Sequence, residues 1–128
     1  MKILIIDDSQ SKVNDIKSCI DGHLVDVAEC RNDGLIALIS EKYDLLILDM
    51  QFPVVNGGDI DRLCGLSVIR ELNRKNINIP IIICSGVYTD YTHVDTNNLV
   101  KSYIVYDSSV YMKPKIESLI DKIVKRED

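Results

Sequence analysis

Three uninterrupted apolar quartets constrain this chain more than any other feature: Ile3-Leu4-Ile5-Ile6, Leu45-Leu46-Ile47-Leu48 and Ile81-Ile82-Ile83-Cys84. Each is short and most are rich in β-branched residues, so each reads as a strand rather than a helix. A strand that is apolar at every position has both faces covered. Parallel sheets meet that condition, with helices packed on their two sides. Each quartet then runs into polar residues, Asp7-Asp8, Asp49 and Ser85. An acid delivered by a buried strand is either a cap on the next segment or part of a site.

The segments between the quartets are amphipathic. Ser9 is placed to cap a helix whose stripe is Val13, Ile16 and Ile20, stopped by Asp21-Gly22. Leu24 to Ala28 reads as a second strand. Asn32-Asp33 opens a second helix with Leu35, Leu38 and Ile39 inward, and Asp44 to Asp49 is the third strand. A loop rich in Gly, Asp and Asn runs from Met50 to about Gly65. Leu66 to Asn76 is a third helix, with Val68, Ile69 and Leu72 inward. Pro80 introduces the fourth strand. A fourth helix is expected within Val94 to Tyr103, and Ser109 to Met112 reads as a short fifth strand. Pro114 opens a last helix carrying Ile116, Leu119, Ile120 and Ile123 on one face. A single α/β domain over residues 1–128 is expected.

The formal net charge of −5 argues against a nucleic-acid surface, which needs a clustered positive field. No apolar run approaches the roughly 20 residues of a membrane span, and the N-terminus lacks a signal or transit pattern. A cytoplasmic location is expected, with no membrane partner. Cys19, Cys30, Cys64 and Cys84 lack the paired spacing of a zinc site and read as packed, reduced thiols. The C-terminal KIVKRED reads as a solvated helix end.

Right-handed crossovers put the C-terminal ends of parallel strands on one edge, where ligands bind. Asp7 and Asp8, Asp49, Ser85 and Lys113 each follow a strand in this reading, so their side chains converge. Three carboxylates held close repel one another without a cation. Hard oxygens at that density suit Mg²⁺. A carboxylate nucleophile, a divalent cation, an ammonium and a hydroxyl together make a phosphoryl-transfer site.

Four motifs occur in a fixed order: IIDDS at Ile5 to Ser9, LDMQFP at Leu48 to Pro53 with Gly57 beyond, ICSG at Ile83 to Gly86, and MKP at Met112 to Pro114. With them the chain resembles the receiver domain of two-component response regulators, over essentially its whole length. The resemblance implies a flavodoxin-like, doubly wound five-stranded parallel sheet of order 2-1-3-4-5 with five helices. It implies Asp49 as phosphoacceptor, Mg²⁺ bound by Asp8, Asp49 and the backbone carbonyl of Gln51, and Asp7 reaching the metal through water. Lys113 would pair with the phosphoryl oxygens and Ser85 would hydrogen-bond one of them. The expected donor is a sensor histidine kinase or phosphotransfer protein. The output is through protein contact, to a downstream target or a second copy, on the face made by the last two helices and the fifth strand. No turnover of an external substrate is expected. Gln51 and Val87 would flank the path of the hydrolytic water.

Three features depart from the family pattern. Val110 stands three positions before Lys113, where receivers carry an aromatic residue, and Tyr111 is one residue off. NGGDIDRLCG reads as an insertion bearing Asp59 and Asp61. Gly86 replaces the usual alanine and Lys115 a common aromatic. The alternative is a pseudo-receiver, a protein-interaction module that does not switch. An aspartate-nucleophile phosphatase would need an acid where Gln51 stands. A flavin carrier would need a phosphate loop where Asp7-Asp8 stand.

Overall fold

The computed structural model describes residues 1–126, so the last two residues of KIVKRED lie outside the described part. In chain order the elements are β1 (Lys2–Ile6), α1 (Gln10–Ser18), β2 (Leu24–Ala28), α2 (Arg31–Ser40), β3 (Leu45–Leu48), β4 (Phe52–Pro53), β5 (Ile60–Asp61), α3 (Cys64–Arg74), β6 (Ile81–Ser85), β7 (Val100–Val105) and α4 (Lys113–Arg126). Five strands form one parallel sheet of order β2-β1-β3-β6-β7. This is the doubly wound order expected from the sequence. The two short strands β4 and β5 pair antiparallel inside the loop after β3.

The all-apolar quartets behave as their composition requires, because alternate residues serve opposite faces. Leu4, Ile6, Leu46, Leu48, Ile81 and Ile83 pack toward Leu38, Val68, Ile69 and Leu72 of α2 and α3. Ile3, Ile5, Leu45, Ile47 and Ile82 pack toward Val13 and Ile16 of α1 and Ile116, Ile120 and Ile123 of α4. On α2 the inward face differs from expectation, since Ile39 is exposed and Gly34 is buried. A Cβ on Gly34 would sit 2.5 Å from Ile6 Cδ1, so the helix seats its glycine on β1 and rotates Ile39 outward.

Two larger corrections concern the C-terminal third. The fifth strand is Val100–Val105, whereas Ser109–Met112 lies in the connection to α4. An edge strand has one partner and less burial, so Lys101 and Ser102 interrupt the apolar pattern that marks the central strands. No helix forms between β6 and β7, which leaves four helices among the described residues where five were expected.

A buried polar cluster organises that connection instead. The Asp95 carboxylate accepts from Leu99 N–H (2.8 Å), Val100 N–H (2.9 Å) and the Asn73 amide (3.1 Å). The Asn73 amide also donates to Ile69 O, and Asn73 Oδ1 accepts from the Asn97 backbone. Asp95 and Asn73 are each about 6% exposed, so the loop's backbone donors have side-chain acceptors where a helix would have supplied carbonyls.

Two outcomes follow from this packing. Asp95→Ala removes the acceptor from two backbone donors and one amide, and should cost about 3 kcal/mol in a denaturant titration. Tyr43 Oη is shared between Asp26 (2.7 Å) and Glu41 (2.8 Å), and burial first, then those two acceptors, push the phenol well above its ordinary value of 10.0. The folded state therefore keeps the Tyr43 proton longer than the unfolded chain does. Its stability contribution is complete below pH 10 and is lost as pH rises above it. Thermal melts of Tyr43→Phe should lack that part of the alkaline loss.

Candidate functional site

The strand register brings the predicted acids together. Ile6 is opposite Leu48, and Leu48 is opposite Ile83, so the residues that follow β1 and β3 emerge side by side next to the end of β6. Asp7 N–H donates to Ala28 O, and Asp49 N–H to Ile6 O, which extends the ladder to the acids themselves. Ser9 caps α1, and its own N–H donates to Asp7 Oδ1 at 2.9 Å. Asp7, Asp8 and Asp49 each offer a carboxylate oxygen within 4.8 Å of the others. Ser85, 2% exposed, closes the β6 end. The start of α3 lies against the same turn. A Cβ on Gly65 would meet Met50 Cα at 2.6 Å and Asp49 O at 2.8 Å, so only glycine lets the helix approach.

The ammonium of this site comes from an unexpected place. Lys12 Nζ lies 2.8 Å from Asp7 Oδ2 and 3.2 Å from Asp49 Oδ1, and donates to Cys84 O at 3.0 Å. Its side chain is 7% exposed, and the Tyr106 ring lies beside it with its centroid 5.6 Å from Nζ. The segment after β7 covers Lys12 in this way, tied down by Tyr106 N–H donating to Ser85 O and Tyr106 Oη to Asp15.

The electrostatics follow from burial and charge. Burial pushes the Asp7 carboxyl up, against the opposing pull of Lys12. Burial pulls Lys12 down, but Asp49 and then Asp7 outweigh it and hold the ammonium above its ordinary value. One ammonium against three carboxylates leaves two negative charges when all are ionised. Asp7 Oδ2 is buried and takes no well-aimed hydrogen bond, so its contact with Lys12 is one of charge alone. Hard, crowded oxygens with two uncompensated charges fit a hard divalent cation.

Lys113 is a correction. Its Nζ pairs with Glu117 at 3.8 Å, and it lines a cleft with Cys19, Ile20, Asp21 and His23 at the C-terminal end of α1. Lys12 is at the other end of that helix, seven residues or roughly 10 Å away. The cause is the displaced fifth strand: the chain leaves the site edge at Val105 and has travelled back along α1 by the time it reaches Lys113. Val110 is displaced with it and is exposed. The aromatic of the fifth strand is Tyr103, whose Oη donates to Val87 O (2.7 Å) and accepts from Thr89 N–H (2.8 Å). Asp59 and Asp61 do not join the acidic group; Asp61 instead accepts from Leu63 N–H in its own turn. All four cysteines are free and buried, as expected, and burial raises Cys64 and Cys84 to about 11.

Sequence reasoning does not bring Lys12 to the site, although a signal is present. Lys12, Ile16 and Ile20 are spaced four apart, so the lysine continues the buried stripe of α1 by one turn toward the strand tips. A cation on an apolar stripe one turn past a strand-end acid pair marks an internal counter-ion.

Comparison with known proteins agrees with this geometry. The model of the response regulator receiver domain matches residues 3–99. The transcriptional regulatory protein DltR of Streptococcus agalactiae is 28% identical over 97 residues, covering 74% of this chain and 40% of that protein. The response regulator ArlR of Staphylococcus saprophyticus is 32% identical over 95 residues, covering 73% of this chain and 39% of that one. The chain therefore spans about two fifths of the length of these curated relatives. Among solved structures, a two-component response regulator from Clostridium difficile superposes with a TM-score of 0.74 at 21% identity, over 100% of this chain and 98% of that one. The response regulator TrrA of Thermotoga maritima, solved in complex with Mg(2+)-BeF, has a TM-score of 0.71 at 25% identity, over 95% and 97%. The family match stops before β7, where Lys113 and the last connection depart from expectation. With its acids on adjacent strand tips, its sheet order and a family match over residues 3–99, this chain belongs to the response regulator receiver domain family.

Proposed function

We propose that this receiver domain is a phosphorylation-dependent switch that accepts a phosphoryl group on Asp49 from a histidine kinase or phosphotransfer protein. The observation that carries this reading is the meeting of Asp7, Asp8 and Asp49 within 4.8 Å beside a buried Ser85. Asp8, Asp49 and the Gln51 backbone carbonyl would hold Mg²⁺ directly, and Asp7 through water; bound there, the cation offsets the charge of a phosphoryl group nearing the carboxylates. The Mg(2+)-BeF complex of the TrrA relative supports this choice of metal.

Asp49 Oδ1 is already engaged by Met50 N–H (2.8 Å) and Lys12, so Oδ2 is the oxygen available to attack. The new bond forms from Oδ2 to phosphorus while the donor's P–N bond breaks, and the electron pair leaves with the imidazole. The phosphoaspartate carries roughly two negative charges and additional acceptor oxygens. Ser85 supplies a hydroxyl to one of them. Its loop is tied to β7 through Tyr103, which bonds Val87 and Thr89 and packs its ring near Tyr88 and Tyr91, with centroids 4.8 and 6.1 Å away. A shift of Ser85 therefore disturbs an aromatic surface on which a target or a second copy would dock. Gln51 and Val87, two residues beyond Asp49 and Ser85 respectively, would set the lifetime of the acyl phosphate.

A second reading, a non-switching interaction module, draws on the lack of a helix between β6 and β7 and on Lys113 lying away from the acids. Incubation with acetyl phosphate and Mg²⁺, followed by intact mass, separates the two. The switch gains one phosphoryl group, Asp49→Asn gains none, and Asp8→Asn labels at least about tenfold more slowly. An unlabelled wild-type protein selects the module.

A further inference from the structure

We infer that Lys12, carried on α1, is the lysine that pairs with the transferred phosphoryl group, the role that Lys113 does not reach. This inference rests on the switch reading above and assigns one of its catalytic residues.

The geometry is specific to a cation that works on Asp49. Nζ contacts the tips of three strands at once: Asp7 after β1, Asp49 after β3 and Cys84 near the end of β6. One of its N–H groups is used on Cys84 O, and the two carboxylates hold it by charge at 2.8 and 3.2 Å. Because Nζ is 3.2 Å from Asp49 Oδ1, a phosphoryl group bonded to that carboxylate brings its own oxygens within reach of the same nitrogen. Lys12 need only exchange one oxygen for another. The residue is fixed on a capped helix and roofed by Tyr106, so it is already in place before the donor arrives. Among the described residues, no other lysine or arginine pairs with Asp7 or Asp49.

A purely structural counter-ion predicts a different balance of effects. A lysine that only neutralises the acids would support folding and nothing else. A lysine that serves the reaction competes with the metal for the acids while it assists the phosphoryl group. Its removal should then strengthen one property and weaken the other. In the transfer step Lys12 stays protonated throughout. With acetyl phosphate as donor, Asp49 Oδ2 bonds to phosphorus, the acyl P–O bond breaks and its electron pair leaves on acetate, so no proton has to move.

The test compares wild type, Lys12→Met and Lys113→Met by acetyl phosphate labelling with Mg²⁺, read by intact mass, together with Mg²⁺ titration of the unphosphorylated proteins. Lys113→Met should label within about twofold of wild type. Lys12→Met should label about a hundredfold more slowly while binding Mg²⁺ about tenfold more tightly, because a competing cation has left the acidic group. Lys12→Met labelling at the wild-type rate, or weakening Mg²⁺ binding along with labelling, overturns the assignment and leaves the switch intact. Wild type that takes no label overturns the switch and the assignment with it. If circular dichroism shows Lys12→Met to be unfolded, a crystal structure of the wild type with Mg²⁺ and beryllium fluoride decides. Lys12 Nζ within hydrogen-bond distance of a fluorine supports the role, and Lys113 or no lysine in that position overturns it.

Discussion

The pairing of one buried ammonium with two strand-tip carboxylates is the interaction on which the functional end of this molecule depends. Charges removed from water persist only when they are paired and bonded. Asp7 and Asp49 are brought together by the register of β1 and β3, and Lys12 lies within ion-pair distance of both. The same contact ties α1 to the central sheet at its upper edge, and through Cys84 O it reaches the strand that ends in Ser85. A site assembled in this way holds its acids, its cation and its hydroxyl on four separate elements. A change of charge at Asp49 is therefore felt by all four.

The segment between β6 and β7 shows a second solution to a backbone problem. Without a helix, its amides need other acceptors, and a buried carboxylate supplies them. Asp95 is bonded in turn to Asn73 of α3, so the loop is anchored to the helix beneath it. This leaves the aromatic group of Tyr88, Tyr91 and Tyr103 over the loop that follows Ser85. Two of these rings, Tyr88 and Tyr91, sit on a connection, which can shift with less rearrangement than a packed helix, against Tyr103 of β7.

Much of the molecule was legible because its central strands are apolar on both faces. Ile3–Ile6, Leu45–Leu48 and Ile81–Cys84 could be covered only by helices on either side, and their ends carry Asp7, Asp8, Asp49 and Ser85 to one edge. The edge strand was misplaced because burial on a single flank does not enforce an apolar run. Lys101 and Ser102 therefore hid Val100–Val105, while the hydrophobic pair Val110-Tyr111, exposed in the structure, imitated a strand. Once the strand moved, Lys113 and its neighbouring aromatic position moved with it.

What the sequence determined by itself is the layered α/β architecture and the gathering of three acids, since both follow from local apolar runs and from the polar residues that end them. What tertiary structure alone decided is which cation answers those acids. Lys113 is part of a motif and Lys12 is not, yet a long flexible side chain goes where uncompensated charge lies within its reach. That reach depends on how α1 and the chain after β7 pack against the sheet, a relation between segments distant in sequence that no local pattern encodes.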